Sequence, residues 1–373
     1  MNIRYFDHAA TTRVDDDVIR EMIPYFTEKY GNPSALCEMG KEAKRGIEEA
    51  RSKVAELINC QTNEVYFTGG GSESDNMAIK GIAYAARRGH IITCKIEHSA
   101  VIHTCQTLER KGFRVTYLDV DKDGMINIEQ LKKSIRNDTI LISIMLANNE
   151  VGTIEPIYEI SKIAKAYNIP LHSDCVQACG NIPIDVKKMG IDMLSLSGHK
   201  LHAPKGVGAL YVREGLTLEK YIDGGHQESD KRAGTENVPG IVGLGKACEL
   251  ARINLAYNMR YLKSLRDYFV SQIEENIPQA ILNGSRKMRL PGNANFSFRG
   301  MDGRAMVLQL NQRGICVSGG SACAANSKKA SHVLTAMGLP HEIAGSAIRA
   351  TFGTDNTKED VDYLVQSIQE IVG

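Results

Sequence analysis

The sequence carries no excess of charge of one sign, no long apolar run and no paired cysteine spacing, and each absence closes off a class of function. Its 45 Lys and Arg residues stand against 44 Asp and Glu, a formal charge of +1, so there is no electrostatic footprint for nucleic acid or for an anionic membrane. No apolar stretch approaches the roughly 18 residues that cross a bilayer. The opening Met1-Asn-Ile-Arg-Tyr-Phe-Asp-His is not a signal peptide, and a cytoplasmic protein is expected. The nine cysteines are odd in number and scattered, which reads as reduced thiols rather than a disulfide framework. There is no internal repeat and no low-complexity linker. What these exclusions leave is a small-molecule substrate or a protein partner.

What is present is an ordinary globular composition, 43% hydrophobic and 24% charged over 373 residues. From residue 14 to residue 213 helical stretches alternate with short strands. Strands are predicted at 64–68, 91–93, 114–118, 140–146, 170–173, 193–196 and 209–212, with helices at 42–57, 72–88, 99–111 and 157–167 between them. That alternation predicts an α/β fold built on a mostly parallel seven-stranded sheet. A long helical pattern follows Pro239 and runs to about residue 275. Beyond it lie a strand (294–298), a helix (303–313), a strand (315–317), a Gly/Ser/Ala-rich loop (318–327), a further strand and a closing helix (358–371). The expected division is a large domain at 14–257 and a smaller α+β domain made of 1–13 and 258–373.

Ligands of open α/β sheets gather at the carboxyl ends of the strands, and those ends are polar here. Asp192-Met-Leu-Ser-Leu-Ser-Gly-His-Lys200 ends a strand in one lysine. A lysine amine forms Schiff bases with carbonyls, and pyridoxal phosphate is the commonest cofactor that asks for one. Thr68-Gly-Gly-Gly-Ser-Glu-Ser74 runs from a strand through three glycines into a helix start suited to a phosphate, although a plain Gly-rich turn with a serine N-cap explains it equally. Glu97-His98 places an imidazole near the sheet edge, either in the site or as a structural histidine. In Asn148-Asn149-Glu150 only one amide can look into the site, because neighbouring side chains on an extended backbone face opposite ways. Asp174, in His172-Ser-Asp-Cys-Val-Gln177, is a carboxylate suited to hold a pyridinium nitrogen protonated, or else a helix N-cap.

Taken together, these stretches resemble the cysteine desulfurases of the IscS/NifS type, within the fold-type I pyridoxal-phosphate enzymes of the class-V aminotransferase family. The matching motifs span nearly the whole chain. They are Tyr5-Phe-Asp-His-Ala-Ala-Thr-Thr12, Gly31-Asn-Pro-Ser34, Gly69-Gly-Gly-Ser-Glu-Ser74, Glu97-His98, Asn148-Asn-Glu-Val-Gly152, His172-Ser-Asp-Cys-Val-Gln177, Ser197-Gly-His-Lys200, Arg232-Ala-Gly-Thr-Glu-Asn237, Ser318-Gly-Gly-Ser-Ala-Cys323 and Ile348-Arg349.

The resemblance implies a homodimeric transferase that converts L-cysteine to L-alanine, with pyridoxal 5'-phosphate as its cofactor and Lys200 as the Schiff-base lysine. It implies that Asp174 pairs with the pyridine nitrogen, that Gln177 approaches the phenolic oxygen, and that His98 stacks on the ring and assists acid–base steps. Gly71, Ser72, Ser197 and His199 would bind the phosphate, and Thr235 would reach the phosphate of the neighbouring subunit. Asn149 and Arg349 would hold the substrate, with Arg349 clamping its carboxylate. Cys323 would take the sulfur as a persulfide, for iron–sulfur cluster assembly or another sulfur pathway through an acceptor protein such as an iron–sulfur scaffold.

A selenocysteine lyase or related C–S lyase on the same scaffold is the alternative activity, and a sulfur-relay scaffold without catalysis is the rival outside enzymes. Three departures from the family pattern stand out. Ser72 takes the place of a usual threonine, Lys328 and Lys329 stand where an acidic residue is usual, and Phe352-Gly-Thr-Asp lacks a following arginine. Asp119-Val-Asp-Lys-Asp-Gly124 imitates the start of a calcium loop, but Gln130 occupies the twelfth position, so it reads as a polar turn. His172, Cys175 and Cys179 lack a fourth ligand, and no metal site is expected.

Overall fold

The computed structural model describes residues 3–319 and 330–373. Its strands in chain order are β1 (Arg4–Tyr5), β2 (Val65–Thr68), β3 (His90–Cys94), β4 (Arg114–Leu118), β5 (Thr139–Ser143), β6 (Leu171–Asp174), β7 (Met193–Ser197), β8 (Gly208–Val212), β9 (Ala280–Leu282), β10 (Asn293–Phe298), β11 (Ile315–Cys316) and β12 (Ala347–Thr351). Strands β2 to β8 form one seven-stranded sheet in the order β2-β8-β7-β6-β5-β3-β4. Only β8 runs antiparallel to its neighbours β2 and β7; the other pairings are parallel.

The side-chain alternation of these strands explains why the sheet is covered on both faces. Ile92, Ile142, Leu194 and Ala209 point into one core with the helices Glu38–Ile58 and Val238–Asn276. Ile91, Leu141, Met193 and Leu210 point the other way, onto Met77, Ile79 and Ile82 of the helix Gly71–Ala86 and Val101 and Leu108 of the helix Ser99–Arg110. A third core lies against the antiparallel sheet β12-β10-β9, where Phe296, Phe298, Ile348 and Ala350 meet Met306, Leu310, Leu364 and Ile368.

The 39-residue helix Val238–Asn276 serves two of these cores. Its first turns, with Val238, Ile241 and Leu244, belong to the core of the large sheet, and Leu262, Leu265, Phe269 and Ile273 belong to that of the small one. At about 1.5 Å per residue it is about 58 Å long. Asn237 caps its start by accepting from the Gly240 N–H at 3.2 Å. Among the described residues no helix is long and apolar enough to cross a membrane.

The predicted strands and long helices are all present, with ends shifted by a few residues. The helix expected from residue 42 begins at Glu38. The strand expected to reach residue 146 loses its ladder after Ser143, although Ile144 and Leu146 still donate to the carbonyls of His172 and Asp174. The short strands β1 and β9 were not expected from the sequence, because two or three residues carry no periodicity.

The two longest helices of the large-sheet core cross closely at a glycine. A Cβ on Gly245 would lie 2.6 Å from both Cα and Cβ of Ala50. Neither atom can swing aside, so Gly245→Leu is expected to destabilise the protein by about 1–3 kcal/mol through overpacking. The check is urea unfolding, and an unchanged midpoint would refute this account of the crossing.

Candidate active site

Under the helix Gly71–Ala86, the row of side chains changes character two residues further along each strand. Ile91 gives way to Thr93, Leu141 to Ser143 and Met193 to Ser195, while His172 is followed by Asp174. The apolar row anchors the helix. The polar row lies toward the strand ends, where a cavity of about 680 Å³ opens.

One wall of that cavity is the glycine turn. Gly70 has φ 146° and ψ −179°, a conformation that glycine adopts without penalty. The helix begins at Gly71, where a Cβ would come within 2.7 Å of Cγ2 of Val176. The first-turn N–H groups are therefore left open, and with the helix dipole they make a cradle for an anion. The turn is not capped by serine: Gly70 is the N-cap and Ser72 lies inside the first turn. Ser197 and His199 stand opposite, and Nδ1 of His199 meets the Thr11 hydroxyl at 3.1 Å. Burial first, then the charges of Lys200 and Lys205, bring the His199 ring down to about 4, so it is neutral at ordinary pH.

The floor is made by the end of β6 and the end of β7. Asp174 is buried, and its Oδ1 accepts the Val176 N–H at 2.9 Å, so it closes a turn rather than capping a helix. Burial raises the Asp174 carboxyl, while His98, the Val176 N–H and Lys200 pull it back toward ionisation. His98 does two things: its Nδ1 accepts the Ala100 N–H at 3.2 Å and caps the helix Ser99–Arg110, and its ring lines the cavity. Burial lowers its pKa, against the pull of Asp174. Lys200 donates to the carbonyls of Ala9 and, at 2.6 Å, Ala10. Gln177 donates to the same Ala9 carbonyl at 3.0 Å.

Arg349 closes the cavity from β12. Fully buried, it donates from Nη1 to the Asn149 carbonyl at 2.9 Å and from Nη2 to Oδ1 of Asp7 at 2.6 Å. Its Nε has no hydrogen-bond partner. Of the adjacent amides, Asn149 lines the cavity, whereas Asn148 is spent on structure, donating to the Ile96 carbonyl and accepting from Glu150 and Val151.

The structure thus gathers Gly71, Ser72, His98, Asn149, Asp174, Gln177, Ser197, His199, Lys200 and Arg349 around one cavity. Thr235 does not join them; it is exposed and borders a separate surface hollow with Tyr30 and Asn32. Cys323, Lys328 and Lys329 lie outside the described residues.

Two carboxylates escaped the sequence reading. Asp7 carries no local sign of its partner, since its pairing with Arg349 spans 342 residues. Asp75 carries the helical spacing of the segment, with no local sign that it reaches the cavity wall. The decoys resolve locally. Asp121 accepts the N–H groups of Asp123 and Met125 in a polar turn, and His172 bonds the hydroxyls of Ser143 and Ser195.

Chemically, the arrangement offers an anion cradle, a buried carboxylate beside a neutral imidazole, a lysine amine and a guanidinium with a spare edge. The description "Aminotransferase class-V" belongs to the family model that matches residues 4–364. The chain is 53% identical over 370 residues to the cysteine desulfurase IscS of Methanosarcina thermophila, covering 99% of this chain and 91% of that one. Among solved structures it resembles a NifS-like protein, with TM-score 0.94 and 41% identity over 100% of this chain and 99% of that one. It also resembles SspA in complex with cysteine, with TM-score 0.84 and 39% identity over 94% of this chain and 98% of that one.

The electrostatics of the floor lead to a titration prediction. Burial takes His172 down to about 3 and is the main cause for His199 at about 4. Both folded values lie below the ordinary 6.5, so the unfolded chain takes up these protons first. Their contribution to stability is complete above about pH 6.5 and is lost as pH falls toward the folded values. The ring resonances of both residues, followed by NMR in the protein without added ligand, should show no titration midpoint between about pH 5 and 8. A midpoint near the ordinary value at either ring would contradict the burial argument.

Proposed function

Because this chain belongs to the class-V aminotransferase family, we propose that it is a cysteine desulfurase, converting L-cysteine to L-alanine and taking the sulfur on Cys323 as a persulfide. The observation that carries the reading is the meeting of Lys200, Asp174 and the Gly71 helix start in one cavity. The persulfide serves iron–sulfur cluster assembly or another sulfur pathway.

The residues present fit pyridoxal 5'-phosphate. The cradle at Gly71 has no room for a Cβ, which suits an anion held by backbone N–H groups. Gly71, Ser72, Ser197 and His199 would hold the phosphate, Asp174 the ring nitrogen, Gln177 the phenolic oxygen and His98 the ring face, with Lys200 as the covalent anchor. When bound, the cofactor supplies an electron sink conjugated to the α-amino group of the substrate.

The chain's own groups do the rest. Arg349 orients the substrate carboxylate by turning its guanidinium from Asp7 and the Asn149 carbonyl toward the ligand, and its unpaired Nε supplies a further donor. Asn149 assists that orientation. Lys200 leaves the carbonyls of Ala9 and Ala10 and moves a proton at the substrate Cα. His98, neutral through burial, is able to accept a proton or return one. The Cys323 thiolate attacks the substrate sulfur, so that an S–S bond forms as the Cβ–S bond breaks. Cβ takes a proton, and alanine leaves.

The active form is a homodimer in which Thr235 reaches the cofactor phosphate of the neighbouring subunit; its exposure away from its own cavity supports this placement. The functional division is a large cofactor-binding unit at 14–257 and a smaller unit of 1–13 and 258–373 that brings Cys323. The protein works in the cytoplasm, and a sulfur-acceptor protein such as an iron–sulfur scaffold takes the persulfide.

Lys200→Ala should abolish alanine formation and the yellow absorbance of the purified protein. Cys323→Ala should keep the absorbance and lose cysteine turnover; unchanged turnover would sink the persulfide step. Arg349→Lys keeps the charge but not the fork, and should raise KM for cysteine by about 10- to 100-fold. Initial rates over a range of cysteine concentrations provide the check, and an unaltered KM would remove Arg349 from the carboxylate site.

A further inference from the structure

The roles above give work to Asp174 but none to Asp75, which is as deeply buried and also borders the cavity. Asp75 stands one turn into the helix Gly71–Ala86 and is 1% exposed. Its Oδ1 has no hydrogen-bond partner and lies 3.7 Å from Nε2 of His172. That ring, itself fully buried, is held by the Ser143 hydroxyl at Nδ1 (2.8 Å) and the Ser195 hydroxyl at Nε2 (3.0 Å). Strand register brings these groups together: Ser143 pairs with His172 and Asp174 pairs with Ser195 across neighbouring strands, all on one face of the sheet.

We propose that Asp75 is a positioning residue for Asp174: held as an uncharged acid, it closes the Ser143–His172–Ser195 hydrogen-bond chain and leaves Asp174 as the formal negative charge beneath the cofactor ring. The inference rests on the pyridoxal-phosphate reading of the cavity.

Two ionised carboxylates in a water-free pocket repel one another, so one of them takes a proton. The geometry decides which. Asp174 accepts a backbone N–H at 2.9 Å and feels the positive charge of Lys200. The groups that face Asp75 are Asp174, Glu97, the Ser195 hydroxyl and the neutral ring of His172, and none of these carries positive charge. Ionised, Asp75 would be a buried charge without a counter-ion. As an acid it can donate to the Ser195 hydroxyl, which then donates to Nε2 of His172, so that the proton of that ring rests on Nδ1, facing Ser143. Burial and the charge of Asp174 both hold Asp75 well above the usual carboxylate range, in the same direction as the contacts.

Asparagine separates shape from charge, since it keeps the donor and the outline of the acid but cannot ionise. The experiment compares the full-length wild type with Asp75→Asn, Asp75→Ala and Asp75→Leu, the last two together in case one does not fold. Three readouts are taken: the dissociation constant for pyridoxal phosphate, the pH midpoint of the bound-cofactor absorbance, and the His172 tautomer by nitrogen-15 NMR on the apoprotein. The Asn variant should stay within about threefold of the wild-type affinity, with the same midpoint and the Nδ1–H tautomer. The Ala and Leu variants should bind about tenfold or more weakly, with a displaced midpoint and no fixed tautomer. Asn behaving like Ala would mean that a charged Asp75 is needed, and Ala behaving like wild type would mean that it positions nothing; either result overturns the proposal. Failure of the wild type to take up pyridoxal phosphate would instead overturn the functional reading, while the apoprotein tautomers would still report on Asp75.

Discussion

The two halves of the site depend on one short seam, the chain from Arg4 to Thr12. Tyr5 adds to β11 and Phe6 is buried in the core of the small sheet. Three residues later, at Ala9, the chain has crossed to the large sheet. The N–H of Ala9 donates to the Thr351 hydroxyl on β12, while its carbonyl receives Gln177 and Lys200. Thr11 and Thr12 then bond to His199, through its ring and its carbonyl. A segment of nine residues therefore ties β12, which bears Arg349, to β7 and its following turn, which bear Lys200. Displacing it would loosen the lysine, the guanidinium and the phosphate-side histidine together.

Exclusion of water is the second constraint, and it sorts the charges. Burial pushes imidazoles toward neutrality and carboxyls toward protonation. Against that background a few groups have compensating partners: Asp174 has the Val176 N–H, which pulls it back toward ionisation, and Asp7 is paired with Arg349. An unpaired buried polar atom costs roughly 1–3 kcal/mol. Oδ1 of Asp75 and Nε of Arg349 are two such atoms, both on residues of the cavity wall.

Much of this was legible in the sequence, for physical reasons that can be named. Strands buried on both faces read as apolar runs, so the large sheet was visible from 64–68 to 209–212. Residues just past those strands fall on the cavity because strand direction places them there, which made His98, Asn149, Asp174 and Lys200 accessible to reasoning. What could not be read is long-range pairing. Asp7 meets Arg349 across 342 residues, and β1 is two residues long and β9 three, too short for any pattern. Asp75 sits in a helical repeat that reads as well for surface as for core. The roles of Cys323 and Thr235 came through family resemblance alone, since nothing in their spacing connects either to the strand ends.

The long helix Val238–Asn276 explains why a site shared between two cores is nevertheless fixed in place. A loop between the cores would leave Arg349 and Lys200 free to drift, and a misplacement of about 1 Å in a positioning group is enough to cost about two orders of magnitude in rate. One continuous helix seated in both cores removes that freedom, because its first turns lock against the helix Glu38–Ile58 at the Gly245–Ala50 crossing and its last turns lock under β10. The seam from Arg4 to Thr12 provides a second tie on the cavity side.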